Sequence, residues 1–400
     1  MPRLLIIAYV FPPLAGAAVM RPLVLAREAR KHGWDAAVLT VGHDPKYPTD
    51  HTLKSPVRTA RAYRYPFFLV INRFLRRLLP GKRILWSILD EFYDWVPSAV
   101  RTGRKLYRSW PFDAIVATSP PYSDLRVGAR LARDLKVPCI ADLRDPFTTN
   151  FVIDFVHPAV RRFWHDYYCS ILRRFDRIVT VDRIISDEIP FHSEVIPNGY
   201  DEEEFSESPQ RYPEFTIGYV GTMYAALDTR PLFEALRLLP ESVRLSVRVL
   251  FVGAHSDLVA NVAAKYGISN LATIPQVPRK EALSIMKKCH VLTIFGGTAT
   301  EAVGSKLFEY ARTGATVINV SRRDSGAWRF VEETGLAINV AVDDARRFAQ
   351  IIEDTFRAGA YRVPKGIEKF SRQHSAASFF RLLDGLLSEK MATNSRRPDR

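Results

Sequence analysis

A glycine-rich stretch with two acids and a lysine, FGGTATEAVGSKLFEYARTGATVINV (295–320), has the residue types that bind a phosphorylated ligand. Its pattern predicts a strand end, a loop, a short helix over residues 306–313 and a second strand. Ser305 is the predicted N-cap of this helix, and Gly314 is predicted to lie just past its end, because these residue types are preferred at those positions.

The loop and the helix start together predict an anion site. Gly296, Gly297 and Gly304 carry no side chain, so the backbone can approach a ligand closely. The free N–H groups at a helix N-terminus carry partial positive charge and attract anions. Lys306 in the first turn opposes the preference of a helix N-terminus for acids, and a bound diphosphate would supply the missing negative charge. We therefore predict that these glycines, Ser305 and Lys306 bind a diphosphate.

Two glutamates flank the start of the same helix. If Glu301 lies in the loop and Glu309 one turn inside the helix, both can face one pocket, where a carboxylate accepts hydrogen bonds from two neighbouring hydroxyl groups. The alternative is that Glu301 is a solvated loop acid and Glu309 a surface residue of the helix. The spacing alone does not distinguish these two interpretations.

A second charged stretch, DLRDPF (142–147), follows a predicted buried strand, so its side chains emerge at the carboxyl edge of a sheet, where ligands of α/β proteins bind. Arg144 lies between Asp142 and Asp145, which indicates either a functional site or an ion pair that fixes the loop. Arg21 in the predicted first helix has the same two interpretations, the second being a solvated helix face.

The length and composition predict two α/β domains. The chain has 400 residues, of which 47% are apolar, which is more than one core usually needs. Short runs rich in Val, Ile and Leu alternate with helical patterns, as parallel strands and crossover helices do. The predicted strands of the first half are 4–10, 36–40, 114–118, 137–141 and 177–181, and those of the second half are 215–220, 247–252, 272–274, 290–295, 315–320 and 336–340. A polar stretch over 196–215 is the predicted linker.

The basic charge predicts an anionic partner. The formal net charge is +14, and residues 57–112 hold twelve Lys and Arg against three acids. Within them, PFFLVINRFLRRLLPGKRILW (66–86) suits a helix at an anionic membrane surface. The alternative is that its apolar residues pack onto the first domain. No helix-turn-helix, zinc or RNA-recognition motif occurs, so no specific nucleic-acid partner is expected.

Cysteine usage and the absence of a targeting pattern favour the cytoplasm. Cys139, Cys169 and Cys289 lie far apart in sequence, so we predict three reduced core residues. No apolar run approaches the ~20 residues that a spanning helix needs, and the N-terminus has no signal-peptide layout. We expect a cytoplasmic protein. We further expect the basic segment to bind at the inner face of the cell membrane.

Several ordered motifs resemble retaining glycosyltransferases of family 4. Glu301 and Glu309 match the Glu, seven residues, Glu motif of that family, with GSKLFEYARTG around the second glutamate. The other similar stretches are YVFPPLAGAAVMRPLVLAREARKHGWDAAVLT (9–40), SPPYSDLRVGARLARDLKVPCIADLRDPFTTN (119–150), IPNGYDEEEF (196–205) and GYVGTMY (218–224). The resemblance covers nearly the whole chain.

The resemblance implies a GT-B fold, an α/β architecture of two facing Rossmann-like domains with parallel sheets. It implies an acceptor-side domain over residues 1–200, a nucleotide-sugar-binding domain over 201–369, and a helix over 370–388 that crosses back to the first domain. Residues 389–400 are polar and basic, and we predict that they form a disordered tail.

The resemblance also assigns roles to residues. Glu309 would hold the nucleotide ribose, Glu301 would contact the donor sugar, and Lys306 would contact the diphosphate. Gly16 and Ala17 lie where the glycine loop of the family approaches the donor phosphates and the acceptor.

Two features depart from the family pattern. Thr222 follows Gly221 where many members carry an arginine for the diphosphate, and Arg230 is the nearest basic substitute. The first domain also lacks the histidine that many members place near the transferred sugar. The predicted catalytic residues are Glu301, Lys306, Arg144 and Asp145.

The resulting hypothesis is a retaining glycosyltransferase that moves a sugar from a nucleoside-diphosphate donor to an acceptor hydroxyl, on a lipid-linked or cell-envelope glycan. It would need no cofactor and no metal. The alternative is a catalytically silent GT-B subunit that binds a glycan or a partner at the membrane. A dinucleotide-dependent enzyme is disfavoured, because FPPLAGAAVM (11–20) after the first strand is not a G-x-G-x-x-G loop.

Overall fold

The structure is a computed structural model that describes residues 1–65, 92–147, 158–206, 211–224, 227–296, 304–359 and 362–395. The chain divides into two compact units. The first unit comprises Met1–Pro197 and Arg372–Arg400, and the second comprises Asn198–Ser371.

The first unit contains a parallel sheet of seven described strands in the order β3-β2-β1-β4-β5-β6-β7. The strands are β1 (Arg3–Ile7), β2 (Asp35–Val41), β3 (Arg58–Ala62), β4 (Ala114–Ser119), β5 (Cys139–Leu143), β6 (Arg177–Thr180) and β7 (Glu194–Val195). The helices are α1 (Ala17–Glu28), α2 (Val96–Ser109), α3 (Ser123–Leu135), α4 (Pro158–Leu172) and α5 (Arg183–Glu188), with α13 (Arg372–Ser395) from the end of the chain.

The second unit contains a parallel sheet of six described strands in the order β10-β9-β8-β11-β12-β13. The strands are β8 (Phe215–Val220), β9 (Val247–Val252), β10 (Leu271–Ile274), β11 (Val291–Phe295), β12 (Thr316–Ser321) and β13 (Ile338–Ala341). The helices are α6 (Arg230–Leu238), α7 (Glu241–Ser246), α8 (Leu258–Lys265), α9 (Arg279–Lys288), α10 (Ser305–Arg312), α11 (Gly326–Thr334) and α12 (Ala345–Ala358).

Both sheets are of the doubly wound type. The strand order reverses beside β1 in the first unit and beside β8 in the second, and these switch points lie where α/β sheets bind ligands. Every residue of β8 is buried, as expected for a strand covered on both faces. In the second unit, one core cluster includes Phe233 of α6 and Phe348 of α12. The other includes Phe308 of α10 and Met286 of α9.

The last helix, α13, packs in the first unit. Its Asp384 accepts a hydrogen bond from Trp34 Nε1 at 2.9 Å, and Phe380 stacks on His32 with ring centroids 5.0 Å apart. The helix runs to Ser395, so residues 389–395 are helical where the sequence predicts a disordered tail. An ion pair of 3.0 Å between Lys390 and Asp176 gives the extra turns a partner that a local polar pattern does not reveal.

The predicted linker over 196–215 is only in part a connection between the units. Tyr200 and Phe205 are buried in the second unit, and Glu202–Phe205 forms a turn of 3₁₀ helix. Asp201 caps this turn, since its carboxylate accepts from the backbone N–H of Glu203 at 3.3 Å. We call residues 198–206 the entry segment.

Two simpler expectations also concern the described residues. All three cysteines are buried and free of disulfides. No described helix is both long enough and apolar enough to span a membrane.

Candidate functional site

The predicted phosphate-binding helix is present as α10, displaced by one residue. Ser305 is its first helical residue and Gly304 holds the N-cap position, so the prediction that Ser305 is the N-cap is wrong. Among the described residues, no side chain caps the helix start. Gly314 follows the last turn with a φ of +74°, as predicted for a residue just past a helix end.

Lys306 extends from the first turn of α10 towards the end of β8. Its Nζ donates a hydrogen bond to the hydroxyl of Tyr219 at 2.6 Å and lies 4.3 Å from the centroid of that ring. The Tyr219 hydroxyl in turn donates to the backbone carbonyl of Thr222 at 2.8 Å. The cation is therefore held beside the loop that follows β8.

Two glycines make room for this arrangement. Gly221 has a φ of +149°, and a Cβ placed there would lie 2.3 Å from both Cε and Nζ of Lys306. Gly253, after β9, has a φ of +137°, and a Cβ there would lie 2.3 Å from the carbonyl oxygen of Gly221. Side chains at these positions would exclude both the lysine and the neighbouring loop, so the strand ends approach each other through bare backbone.

Tyr310 fixes the distance between α10 and β8. Its buried hydroxyl accepts from the backbone N–H of Val220 at 2.8 Å and donates to the carbonyl of the same residue at 3.0 Å. Burial raises the pKa of Tyr310 well above its usual value, so the phenol keeps its proton. Tyr310, in the second turn of α10, thus anchors the helix to the strand end beside which Lys306 lies.

Glu309 is buried rather than a surface residue, so the surface interpretation is wrong. Its side chain is 5% exposed, and Oε1 accepts from Nη2 of Arg279, at the start of α9, at 2.8 Å. The same guanidinium binds Glu204 of the entry segment through two nitrogens, at 2.6 and 2.7 Å. Burial opposes the charge of Arg279, but Glu309 and Glu204 raise its pKa above the usual value.

The other residues predicted for the donor site do not all lie beside Lys306 in the described structure. Gly296 continues the β11 pairing, since its N–H donates to the carbonyl of Val320 at 2.9 Å. Arg230 is exposed at the start of α6 and forms a two-nitrogen ion pair with Asp228, at 2.9 and 2.7 Å. Gly297 and Glu301 lie outside the described residues, and their roles stay predictions.

In the first unit, the predicted glycine loop opens α1. Gly16 is the N-cap with a φ of +133°, and a Cβ added to it would meet no atom within 4 Å. Ala17 begins the helix. The backbone is therefore open to solvent at this helix start, as a ligand-approach position requires.

Arg144 lies after β5 and donates to backbone carbonyls of two neighbouring segments. Nη1 donates to Ala18 at 2.8 Å, Nη2 to Pro120 at 2.5 Å, and Nε to Ser119 at 3.3 Å. The guanidinium thereby ties the start of α1 to the loop after β4. These contacts support the loop-fixing interpretation, although the partners are carbonyls and not the two flanking aspartates.

Asp142 pairs with Arg21 instead. Three of the distances between the Arg21 guanidinium and the carboxylate are 2.9, 3.0 and 3.1 Å, and the side chains are 12% and 3% exposed. Thr118 donates to the same carboxylate at 2.9 Å. The interpretation of Arg21 as a residue of a solvated helix face is therefore wrong.

Asp145 is a partly buried carboxylate close in sequence to this ion pair. Burial raises its pKa above the usual value, and the nearby charge of Arg144 partly opposes the shift. A carboxyl group with a raised pKa at the carboxyl edge of a sheet is suited to exchange protons with a ligand.

The predicted membrane segment, residues 66–86, lies outside the described residues, but the chain on either side is described. Arg64 donates from Nε to both oxygens of Asp94, at 2.8 and 3.0 Å, and binds Asp44 at 3.3 Å. The described residues before and after the segment are therefore joined by a buried ion pair. The exposed basic residues nearby are Arg58, Arg61, Arg101, Lys105 and Arg108.

Residues 16–199 match the family model of the glycosyl transferase 4-like domain. The matched residues lie almost entirely in the first unit. This match confirms the resemblance to family 4. No match to a curated protein sequence was found.

Solved structures of similar fold confirm the GT-B fold of the whole chain. A UDP-forming α,α-trehalose-phosphate synthase from Burkholderia xenovorans, in complex with glucose-6-phosphate, is 14% identical with a TM-score of 0.62, covering 96% of this chain and 100% of that one. The lipopolysaccharide outer core galactosyltransferase WaaB is 12% identical with a TM-score of 0.60, covering 94% and 98%. WaaG, a glycosyltransferase involved in lipopolysaccharide biosynthesis, is 14% identical with a TM-score of 0.55, covering 94% and 95%.

Sequence reasoning placed Lys306 and Glu309 in the donor site but missed three residues that hold them. Tyr219 and Tyr310 have the pattern of buried core aromatics, and Arg279 follows a proline at an ordinary helix start. Both tyrosines lie within the motifs GYVGTMY and GSKLFEYARTG, but the residue type alone does not predict these contacts, and none of the motifs that resemble the family contains Arg279.

Proposed function

We propose that this chain transfers a glycosyl group from a nucleoside-diphosphate sugar to an acceptor hydroxyl with retention of anomeric configuration. The observation that carries the proposal is the position of Lys306, in the first turn of α10 and beside the bare backbone of Gly221. A cation and the N–H groups of a helix start at the carboxyl edge of a parallel sheet suit a diphosphate.

The reaction places most of its new charge on the leaving group. As the bond between the anomeric carbon and the diphosphate oxygen breaks, the sugar gains oxocarbenium character and the phosphate oxygens gain negative charge. Contacts that strengthen on those oxygens lower the barrier, because they are stronger in the transition state than in the ground state. Lys306 and the N–H groups of α10 would supply them, without a metal or another cofactor.

The other end of the donor would lie against Glu309. Its carboxylate, kept charged beside Arg279, would accept hydrogen bonds from the ribose hydroxyls. Glu301 would contact the donor sugar, as the family resemblance implies.

The first unit would hold the acceptor, in line with the family resemblance. Gly16 and Ala17 supply open backbone there, and Asp145 supplies a carboxyl group of raised pKa. WaaG is involved in lipopolysaccharide biosynthesis and WaaB is a lipopolysaccharide outer core galactosyltransferase, which favours a lipid-linked or cell-envelope glycan as the acceptor. The basic segment would hold the protein at the anionic inner face of the cell membrane.

One observation favours a second candidate, a catalytically silent GT-B subunit. The residue after Gly221 is Thr222, and the nearest basic substitute, Arg230, is exposed and paired with Asp228. A silent subunit would keep the fold and bind a glycan or a partner with weak affinity for donors.

Calorimetric titration with UDP-, GDP- and dTDP-sugars separates the two candidates. We expect one nucleotide class to bind with micromolar affinity, and its sugar then to be transferred to a lipid extract. Nuclear magnetic resonance of the product should show that the new glycosidic bond has the same anomeric configuration as the donor. Absence of binding to every donor in the panel would instead support the silent subunit.

A further inference from the structure

Arg279 lies between two carboxylates that are distant in sequence. It donates to Glu309 of α10 at 2.8 Å and to Glu204 of the entry segment at 2.6 and 2.7 Å. The exposed fractions of these side chains are 24% for Arg279, 21% for Glu204 and 5% for Glu309. One guanidinium therefore connects a proposed donor-site residue with the segment that enters the second unit.

The geometry suits a positioning role. A guanidinium presents its N–H donors in a rigid plane, so an arginine fixed at one carboxylate by two nitrogens has a set direction towards the next. The contacts to Glu204 fix Arg279, and Arg279 then holds Oε1 of Glu309. The Glu309 carboxylate is nearly buried, and burial favours its neutral form. The positive charge of Arg279 opposes this effect, so loss of the contact would make the charged form less favourable.

The attachment of the entry segment does not depend on this arginine alone. Arg312 of α10 pairs with Glu202, and Lys287 donates to the carbonyl of Glu204 at 2.6 Å. Arg279 differs from these two basic residues because, among the described contacts, it also donates to Glu309. Its second contact is thus not explained by attachment of the segment.

We propose that Arg279 is a positioning residue for the donor nucleotide. It holds the Glu309 carboxylate charged and oriented to accept hydrogen bonds from the ribose hydroxyls, while Glu204 holds Arg279. The proposal rests on the function proposed above, and it adds a residue outside the helix and loop that carry the donor site.

The test measures discrimination between ribose and dideoxyribose. UDP and GDP are titrated calorimetrically, each beside its 2′,3′-dideoxy counterpart, into wild type, Arg279→Gln, Arg279→Lys and Glu309→Gln. Loss of a charged hydrogen-bond partner typically changes affinity by about 10-fold to 100-fold. We expect Arg279→Gln to bind the ribonucleotide at least ~10-fold more weakly with little change for the dideoxy compound, and Arg279→Lys to recover part of the ratio.

Arg312→Gln is the matched control, because it removes an ion pair between α10 and the entry segment that is formed with Glu202 and not with Glu309. It should leave the ribose to dideoxyribose ratio unchanged at a similar melting temperature. If Glu309→Gln lowers the ratio and Arg279→Gln does not, the positioning role of Arg279 is overturned while the donor site stands. If Glu309→Gln also leaves the ratio unchanged, the assignment of the ribose to Glu309 fails, and with it the role of Arg279.

Discussion

Lys306 donates a hydrogen bond to the hydroxyl of Tyr219 at 2.6 Å, across the backbone of Gly221. This relationship joins the first turn of α10 to the end of β8, the central strand at the switch point of the second sheet. It explains why a lysine occurs where a helix prefers acids. Tyr219 binds the cation, and the absence of a side chain at Gly221 leaves room for it beside the proposed diphosphate.

Gly221→Ala should reduce activity more than stability. The added Cβ would lie 2.3 Å from Nζ and Cε of Lys306, so the lysine must move away from its position. Gly267→Ala is the control, because Gly267 has a φ of +68° but no atom within 4 Å of the added Cβ. Gly267→Ala should lose about 1–2 kcal/mol from its left-handed φ, and Gly221→Ala should lose about 1–3 kcal/mol because its φ of +149° is rarer still for alanine. Only Gly221→Ala should lose at least ~10-fold in turnover. Equal turnover in the two variants would show that the position of Lys306 is unimportant.

The ion pair between Arg21 and Asp142 should be coupled in stability. Arg21→Met leaves a carboxylate that is 3% exposed without its guanidinium, and breaking a buried pair typically costs about 3–5 kcal/mol. The double variant Arg21→Met, Asp142→Asn should cost less than Arg21→Met alone, because the amide carries no charge and can still accept from Thr118. Urea denaturation of Arg21→Met, Asp142→Asn and the double variant measures this, and strictly additive losses would rule out the coupling.

The stability contributed by Asp134 should depend on pH. Partial burial opposes the shift, but the guanidinium groups of Arg104, Arg133 and Arg130 lower the pKa of Asp134 to about 2. A carboxyl group with a lowered folded-state pKa stabilises the protein above its unfolded pKa of about 4, and that contribution is lost as the pH falls from about 4 towards 2.

Asp134→Asn should therefore destabilise the protein at pH 6 by about 1 kcal/mol, a value reduced by solvent screening of the exposed arginines. The difference from wild type should shrink between pH 4 and pH 3. Urea denaturation at each pH measures it. A difference that stays constant down to pH 3 would contradict the lowered pKa.

Binding to vesicles should depend on anionic lipid and on salt. The prediction rests on the local excess of positive charge over residues 57–112. The salt dependence follows because exposed charges are screened within about 8–10 Å at physiological ionic strength. The variant replaces with Gln four basic residues that lie outside the described ranges: Arg76, Arg77, Lys82 and Arg83. The control replaces with Gln four exposed basic residues of the second unit: Arg237, Lys265, Lys280 and Lys365.

Co-sedimentation with vesicles that contain anionic lipid measures the effect. We expect the first variant to bind several-fold more weakly and the control variant to bind like wild type, because attraction falls off within a Debye length of the surface. Equal association of wild type with neutral and anionic vesicles would remove the electrostatic basis of the proposal.

The fold was predictable wherever burial is continuous along the sequence. The predicted bounds of β8 and β9 coincide with the structure, because both are short runs rich in Val, Ile, Leu and aromatic residues. In contrast, β3 has the sequence RTARA and was missed. Its strand structure comes from pairing with β2 at the sheet edge, which leaves no apolar run.

The candidate site was predictable only in its local part. Lys306 and Glu309 belong to one motif whose spacing and glycines carry the signal. Arg279 is 30 residues before Glu309 in the sequence, and Tyr219 is 87 residues before Lys306. Contacts over such separations depend on how helices and strands pack, and no local pattern of residue types records them.

Turnover and donor binding by Lys306→Ala test the central claim most directly. The Lys306→Ala variant lacks the hydrogen bond to Tyr219, so its melting temperature should fall by a few degrees at most. Sequence reasoning predicts an unchanged or slightly higher melting temperature, and the contact to Tyr219 is the reason for the difference. Lys265→Ala is the control, since Lys265 is exposed in the last turn of α8.

With the donor identified by titration, we measure its affinity and kcat for wild type and both variants. Lys306→Ala should bind the donor more weakly and lose ~10²–10³ in kcat, the typical cost of removing one preorganised contact to a developing negative charge. Lys265→Ala should match wild type in both quantities. A folded Lys306→Ala protein with normal kcat and normal donor affinity would contradict the assignment of the diphosphate to this lysine.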